Sequence, residues 1–156
     1  MRNGVLLDTN LLLLYLVGLS RSGNIGFHKR LSMFEQRHFC FLLDLVSPYK
    51  NIVVTPHCLA EVWNLIGEQS NSFDLDRARL IEFARRFVSE AVEVYQPAKQ
   101  LVGRDEIRWL GLADVSQLSA ALEGGFAMTS ADGLLCRQAL VLGIETHHFW
   151  QLAEGP

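Results

Sequence analysis

Four acids stand where a carboxylate is costly or informative. Asp8 sits in VLLDTN, between the apolar run Val5-Leu6-Leu7 and a second one, LLLLYLV over 11–17. Both flanks favour burial, and an uncompensated buried charge is strongly destabilising. Asp132 follows the apolar stretch Phe126-Ala127-Met128-Thr129, Asp114 opens DVSQLSAAL after Gly111-Leu112-Ala113, and Glu61 lies early in PHCLAEVWNLI. If these acids converge, they repel one another and raise each other's pKa. A hard divalent cation relieves that repulsion, and Mg²⁺ in particular takes a few carboxylates and completes its shell with water. Such a site can activate water and stabilise the attacking and leaving oxygens of a phosphodiester.

Each acid also has an ordinary explanation. Asp114 with Gln117 resembles a capping box, and Asp132 can cap the helix that it opens. Glu61 falls opposite the stripe Leu59, Val62, Trp63 and Ile66, where a solvated glutamate belongs. Asp8 is the hardest to explain away, because both of its neighbouring segments are apolar. In an open α/β sheet, ligands collect beyond the carboxyl ends of the strands, so the order of elements decides whether the four can meet.

The chain reads as strands alternating with helices. Gly4–Leu7 forms a short buried strand; Thr9 or Asn10 caps a helix through about Val17, ended by Gly18. Residues 18–34 read as a loop or irregular insertion. Phe39, Leu42, Leu43 and Val46 fall at i, i+3, i+4, i+7 and mark a helix closed by Pro48. Ile52-Val53-Val54 is a second strand, and Thr55-Pro56 starts a helix with an N-cap and a proline at its first position. After the polar break 69–72 comes a long helix with the stripe Leu80, Phe83, Ala84, Phe87, Val88 and Ala91, then a possible strand, Val92–Tyr95. Leu112–Leu122 is helical with Val115, Leu118 and Leu122 inward, 126–129 is a strand, and Asp132–Leu142 is a helix ended by Gly143. Ile144–Phe149 closes the series as a strand. This alternation predicts an α/β fold with a central parallel sheet covered on both faces, in one domain spanning 1–156 with an irregular or helical insertion at about 18–50.

Composition narrows the function classes. A net charge of −3 lacks the positive surplus of a non-specific nucleic-acid binder. Cys40, Cys58 and Cys136 are too few and too scattered for a disulfide framework or a thiolate metal site, and they predict reduced thiols in the cytoplasm. The 11–17 run is far short of a membrane span, and Asp8, Thr9 and Asn10 interrupt any signal-peptide reading.

DTN after an apolar strand, the TPHCLAEVWNL helix with its glutamate, GLADVSQLSAAL, and a strand ending in Ser-Ala-Asp together resemble a PIN domain, in order and over nearly the whole chain. The resemblance implies a three-layer α/β/α sandwich in which Asp8, Glu61, Asp114 and Asp132 bind Mg²⁺ or Mn²⁺ for RNA hydrolysis. It gives Asn10 and Ser130 supporting roles, orienting a carboxylate or a metal-bound water, and 5′-phosphate and 3′-hydroxyl ends to the products. Many small bacterial members are VapC-like toxins of type II toxin–antitoxin pairs. The resemblance thus implies an antitoxin protein as partner, able to insert an arginine among the acids, and a possible homodimer. Residues 18–50 are longer and more aromatic than in those toxins.

An RNA substrate must approach this acidic edge. Residues 27–39 (FHKRLSMFEQRHF) interleave His28, Lys29, Arg30, Arg37 and His38 with Phe27, Phe34 and Phe39, a pattern able to hold phosphates and stack bases. The alternative is that the phenylalanines pack inward and the cations are merely solvated. Two other functions compete with the ribonuclease: a PIN fold kept as an RNA- or protein-binding module, and a haloacid-dehalogenase-like phosphatase. The phosphatase requires a second acid two residues after the first, where this chain has Asn10.

Overall fold

The computed structural model describes residues 1–20, 25–67 and 75–155, without the side chains of Phe27, Leu75 and Asp76. Its centre is β1 (Arg2–Leu7), whose last four residues are buried. β2 (Tyr49–Val54) pairs with one side of β1 and β4 (Ala127–Ser130) with the other; β3 (Val92–Glu93) and β5 (Thr146–His148) form the edges. The order is β3-β2-β1-β4-β5 and every pairing is parallel. The chain therefore winds outward from β1 in both directions, and the gap between β1 and β4 is the switch point at which such sheets open a crevice.

Side-chain alternation sends neighbouring strand residues to opposite faces. Val5, Leu7, Val54 and Ala127 meet a core built from α1 (Thr9–Ser20), α2 (Gln36–Val46), α3 (Pro56–Gly67), α4 (Leu75–Glu90) and α8 (Phe149–Glu154). Leu6, Val53 and Met128, in register with one another, meet the second core, formed with α5 (Ala98–Leu101), α6 (Leu112–Gly124) and α7 (Gly133–Val141). The result is the three-layer α/β/α arrangement expected from the alternating pattern. Apolar runs buried on both faces are what a fully covered parallel strand requires. Among the described residues no helix is long and apolar enough to cross a membrane.

Several local expectations change. Neither Thr9 nor Asn10 caps α1; Asp8 does, its Oδ1 accepting from the Leu11 N–H at 2.8 Å and its carbonyl from Leu12. Gly18 does not end α1, which runs to Ser20. A Cβ on Gly18 would stand 2.2 Å from the Phe39 ring, so the glycine is there to let α2 approach. The expected loop of 18–34 contains 3₁₀ turns at Ile25–Phe27 and Lys29–Leu31, while 21–24 and the polar break at 69–72 lie outside the described residues.

Leu122 and Trp63 are exposed, at 40% and 42%. Ala121 takes the inward place in the last turn of α6, and Leu65 joins Val62 and Ile66 on the buried face of α3. The strand expected at 126–129 begins one residue later. Gly125, left-handed at φ 63°, and the Phe126 N–H both close α6 onto the Ala121 carbonyl. The last strand is shorter than 144–149, because His148 caps α8, accepting from the Gln151 N–H, and Phe149 is already helical.

Candidate active site

Asp8 directly follows β1 at the switch point and is 5% exposed. Its buried carboxylate is compensated first by hydrogen bonds. Oδ1 accepts from Leu11, while Oδ2 accepts from the Ser130 hydroxyl at 2.5 Å and the Ala131 N–H at 2.7 Å. The donors from β4 reach Asp8 because Leu7 pairs with Thr129 and the Asp8 N–H donates to the Thr129 carbonyl at 3.1 Å. Burial raises the Asp8 pKa, Ser130, Leu11 and Ala131 pull against it, and the nearby charge of Asp132 adds to the rise.

Asp132 is the N-cap of α7, with Oδ1 accepting from Leu134 at 2.7 Å and Leu135 at 3.2 Å. The ordinary role foreseen for it is therefore real. Ser130 links the pair: its hydroxyl donates to Asp8 and accepts from the Asp132 N–H at 2.9 Å.

Asp114 is not a cap. The N-cap of α6 is Gly111, and Asp114 stands three residues in, within the first turn. Its pKa is raised to about 7 by burial and then by the charges of Asp8, Glu61 and Asp132, with the Gly111 N–H opposing. Asp114 lines the same cleft as the other three acids, so α6 brings it to the same place. Glu61, which the helical wheel alone would leave on a solvated face and the PIN resemblance sets among the acids, lines this region also. It is exposed, yet the Thr9 hydroxyl holds its Oε2 at 3.0 Å.

The four carboxylates line one cleft of ≈ 360 Å³ together with Thr9, Asn10, Arg30, Asn64 and Leu65. Each acid arrives from a different element: the end of β1, α3, α6 and the start of α7. Asn10 is at the cleft; Ser130 lies beneath it, fully buried. Thr9 is marked in the sequence only as a helix cap and as part of DTN, and Asn64 and Leu65 carry no recognisable signal apart from their three- and four-residue spacing from Glu61.

Beneath the floor, Gln117 donates to the Leu7 carbonyl at 2.7 Å and to Cys58 Sγ at 2.9 Å, tying α6 to β1 and α3. Cys58 and Cys136 are buried thiols pushed up to about 12 and about 11, chiefly by burial, so neither serves as a thiolate here.

The basic aromatic stretch divides. Phe34 and Phe39 are buried, and Phe34 stacks on Trp150 with ring centroids 5.0 Å apart. His38 is buried and bonded to Glu154 at 2.5 Å, and Arg37 pairs with Glu35 and Glu154. Lys29 is exposed outside the cleft lining; Arg30 is in it. The Phe27 side chain lies outside the described ones.

The donor set suits a hard cation: carboxylate oxygens, with the ionisation of Asp114 opposed first by burial and then by three like charges. Among the described residues no group of three or more His, Cys, Asp or Glu side chains stands ready to hold a metal ion. Mg²⁺ requires only one or two direct carboxylates, with water supplying the rest. No family model matches the chain, and no curated protein matches it in sequence.

Proposed function

We propose that the chain is a divalent-cation-dependent ribonuclease. The observation that carries this reading is the convergence of Asp8, Glu61, Asp114 and Asp132, from four separate elements, on one cleft at the carboxyl edge of a parallel sheet. Of Asp8, Asp114, Asp132 and Glu61, one or two would hold Mg²⁺ or Mn²⁺ directly and the others through its water shell. When bound, such an ion supplies a nucleophile from water at neutral pH and neutralises charge on the scissile phosphodiester.

The remaining work falls to the protein. Ser130 and Ala131 fix the Asp8 carboxylate, and Thr9 steadies Glu61. Asn10 and Asn64 offer amides at the wall of the cleft. RNA as the substrate, and a toxin role with an antitoxin partner, are supported by the PIN resemblance alone. The three unpaired cysteines fit a cytoplasmic location.

Purified protein should cleave single-stranded RNA with MgCl₂ or MnCl₂ and stop with EDTA, and Asp8→Asn should abolish cleavage while circular dichroism stays unchanged. Cleavage by the variant at the wild-type rate, or undiminished cleavage in EDTA, refutes the mechanism. A second reading, a PIN-like module that binds without cutting, is favoured by the structural engagement of Asp8 and Asp132 as helix caps. Calorimetric titration separates the two, since the module shows no Mg²⁺ or Mn²⁺ uptake.

A further inference from the structure

We infer that Arg30 is a phosphate-binding residue at the acidic cleft, and that His28 is the positioning residue that aims it; the inference rests on the ribonuclease reading and names how that site accepts a polyanion. Among the described residues lining the cleft, Arg30 is the cation set against four carboxylates. An RNA strand approaching those acids is repelled unless positive charge meets its phosphates first. A guanidinium suits that task because its fork can engage two phosphate oxygens at once.

Arg30 belongs to the 3₁₀ turn Lys29–Leu31, and such a short element holds no fixed direction alone. His28 supplies the fixation. It is 1% exposed; its Nδ1 accepts from the Arg30 N–H at 3.2 Å, and its Nε2 lies 2.9 Å from the Leu65 carbonyl. A carbonyl can only accept, so Nε2 carries the proton and Nδ1 is bare. One imidazole thus ties the backbone of Arg30 to α3, the helix that also carries Glu61. Leu31, fully buried, pins the other side of the turn. The backbone from which Arg30 reaches the cleft is therefore set by α3.

Binding of a fluorescein-labelled single-stranded RNA is read by anisotropy against salt, on an Asp132→Asn background in which cleavage is suppressed and the helix cap is kept. Arg30→Ala should weaken binding about tenfold at low salt, and should lower the magnitude of the slope of log affinity against log salt by about 0.7, one phosphate contact to a single strand. Arg30→Lys should recover the slope but only part of the affinity. His28→Ala should reproduce the loss seen for Arg30→Ala, and the double variant should lose no more than Arg30→Ala alone, a coupling that simple destabilisation does not produce. Unchanged affinity and slope in Arg30→Ala overturn the inference and leave the ribonuclease reading intact. Losses in the two single variants that simply add overturn the positioning role of His28. Failure of the background protein to bind RNA at any salt overturns both.

Discussion

The Ser130 hydroxyl stands 2.5 Å from Asp8 Oδ2 and also accepts the Asp132 N–H at 2.9 Å, so one side chain couples two acids that are distant in sequence. Ser130→Ala removes a donor from a buried carboxylate. It should cost about 1–3 kcal/mol of stability and lower kcat/KM on RNA about 10- to 100-fold, as loss of a partner orienting a metal ligand does. Urea denaturation and steady-state cleavage check the two parts. A variant with wild-type kcat/KM would show that Asp8 needs no help from β4.

Asp132 serves two purposes that substitution can separate. Asn still accepts from Leu134 and Leu135, whereas Ala does not. Asp132→Asn should leave stability within a few tenths of a kcal/mol of wild type, and Asp132→Ala should lose about 1 kcal/mol. Both should be inactive, because both lose the negative charge. Activity that follows stability in the pair would mean that Asp132 is only a cap.

Asp114 gives the metal-free chain a defined pH dependence. Its pKa is 3.8 in the reference state and about 7 in the fold, so between these values the native state holds the proton more tightly than the unfolded chain. Stability is then full below about pH 4 as far as this group is concerned, and falls as pH rises toward about 7, by at most about 1.4 kcal/mol per pH unit. In EDTA the Tm should decline across that interval, and Asp114→Asn should flatten the decline. Added MgCl₂ should raise the Tm more at the upper end of the interval than at the lower, and a Mg²⁺ effect independent of pH would contradict this electrostatic account.

Gly18 tests the contact between α1 and α2. A Cβ there falls 2.2–2.7 Å from three atoms of the Phe39 ring, which is itself 5% exposed and cannot swing into solvent cheaply. Gly18→Ala gains helix propensity worth about 1 kcal/mol but should still destabilise by about 1–3 kcal/mol through overpacking. Gly18→Ala with Phe39→Leu should recover part of the loss. Denaturation midpoints for the three proteins decide it.

The sequence by itself determined the parallel α/β class and the burial of β1, β2 and β4, because apolar runs of strand length bounded by helix starts leave few other solutions. It also marked Asp8, since a carboxylate between two apolar runs must be compensated. Only the tertiary structure decided which groups compensate it. The donors Ser130 and Ala131 reach Asp8 because β4 pairs with β1, and a pairing across more than a hundred residues leaves no trace in local periodicity. Glu61 could be read two ways for the same reason: a helical wheel separates apolar from polar faces but cannot tell open solvent from a polar cleft, and only the PIN resemblance set it among the acids. Arg30 and Phe34 belong to one basic aromatic stretch, yet the turns at 28–34 bury the phenylalanine and present the arginine at the cleft. Local sequence fixes what each residue prefers to touch, while the long-range strand order fixes which partners are within reach.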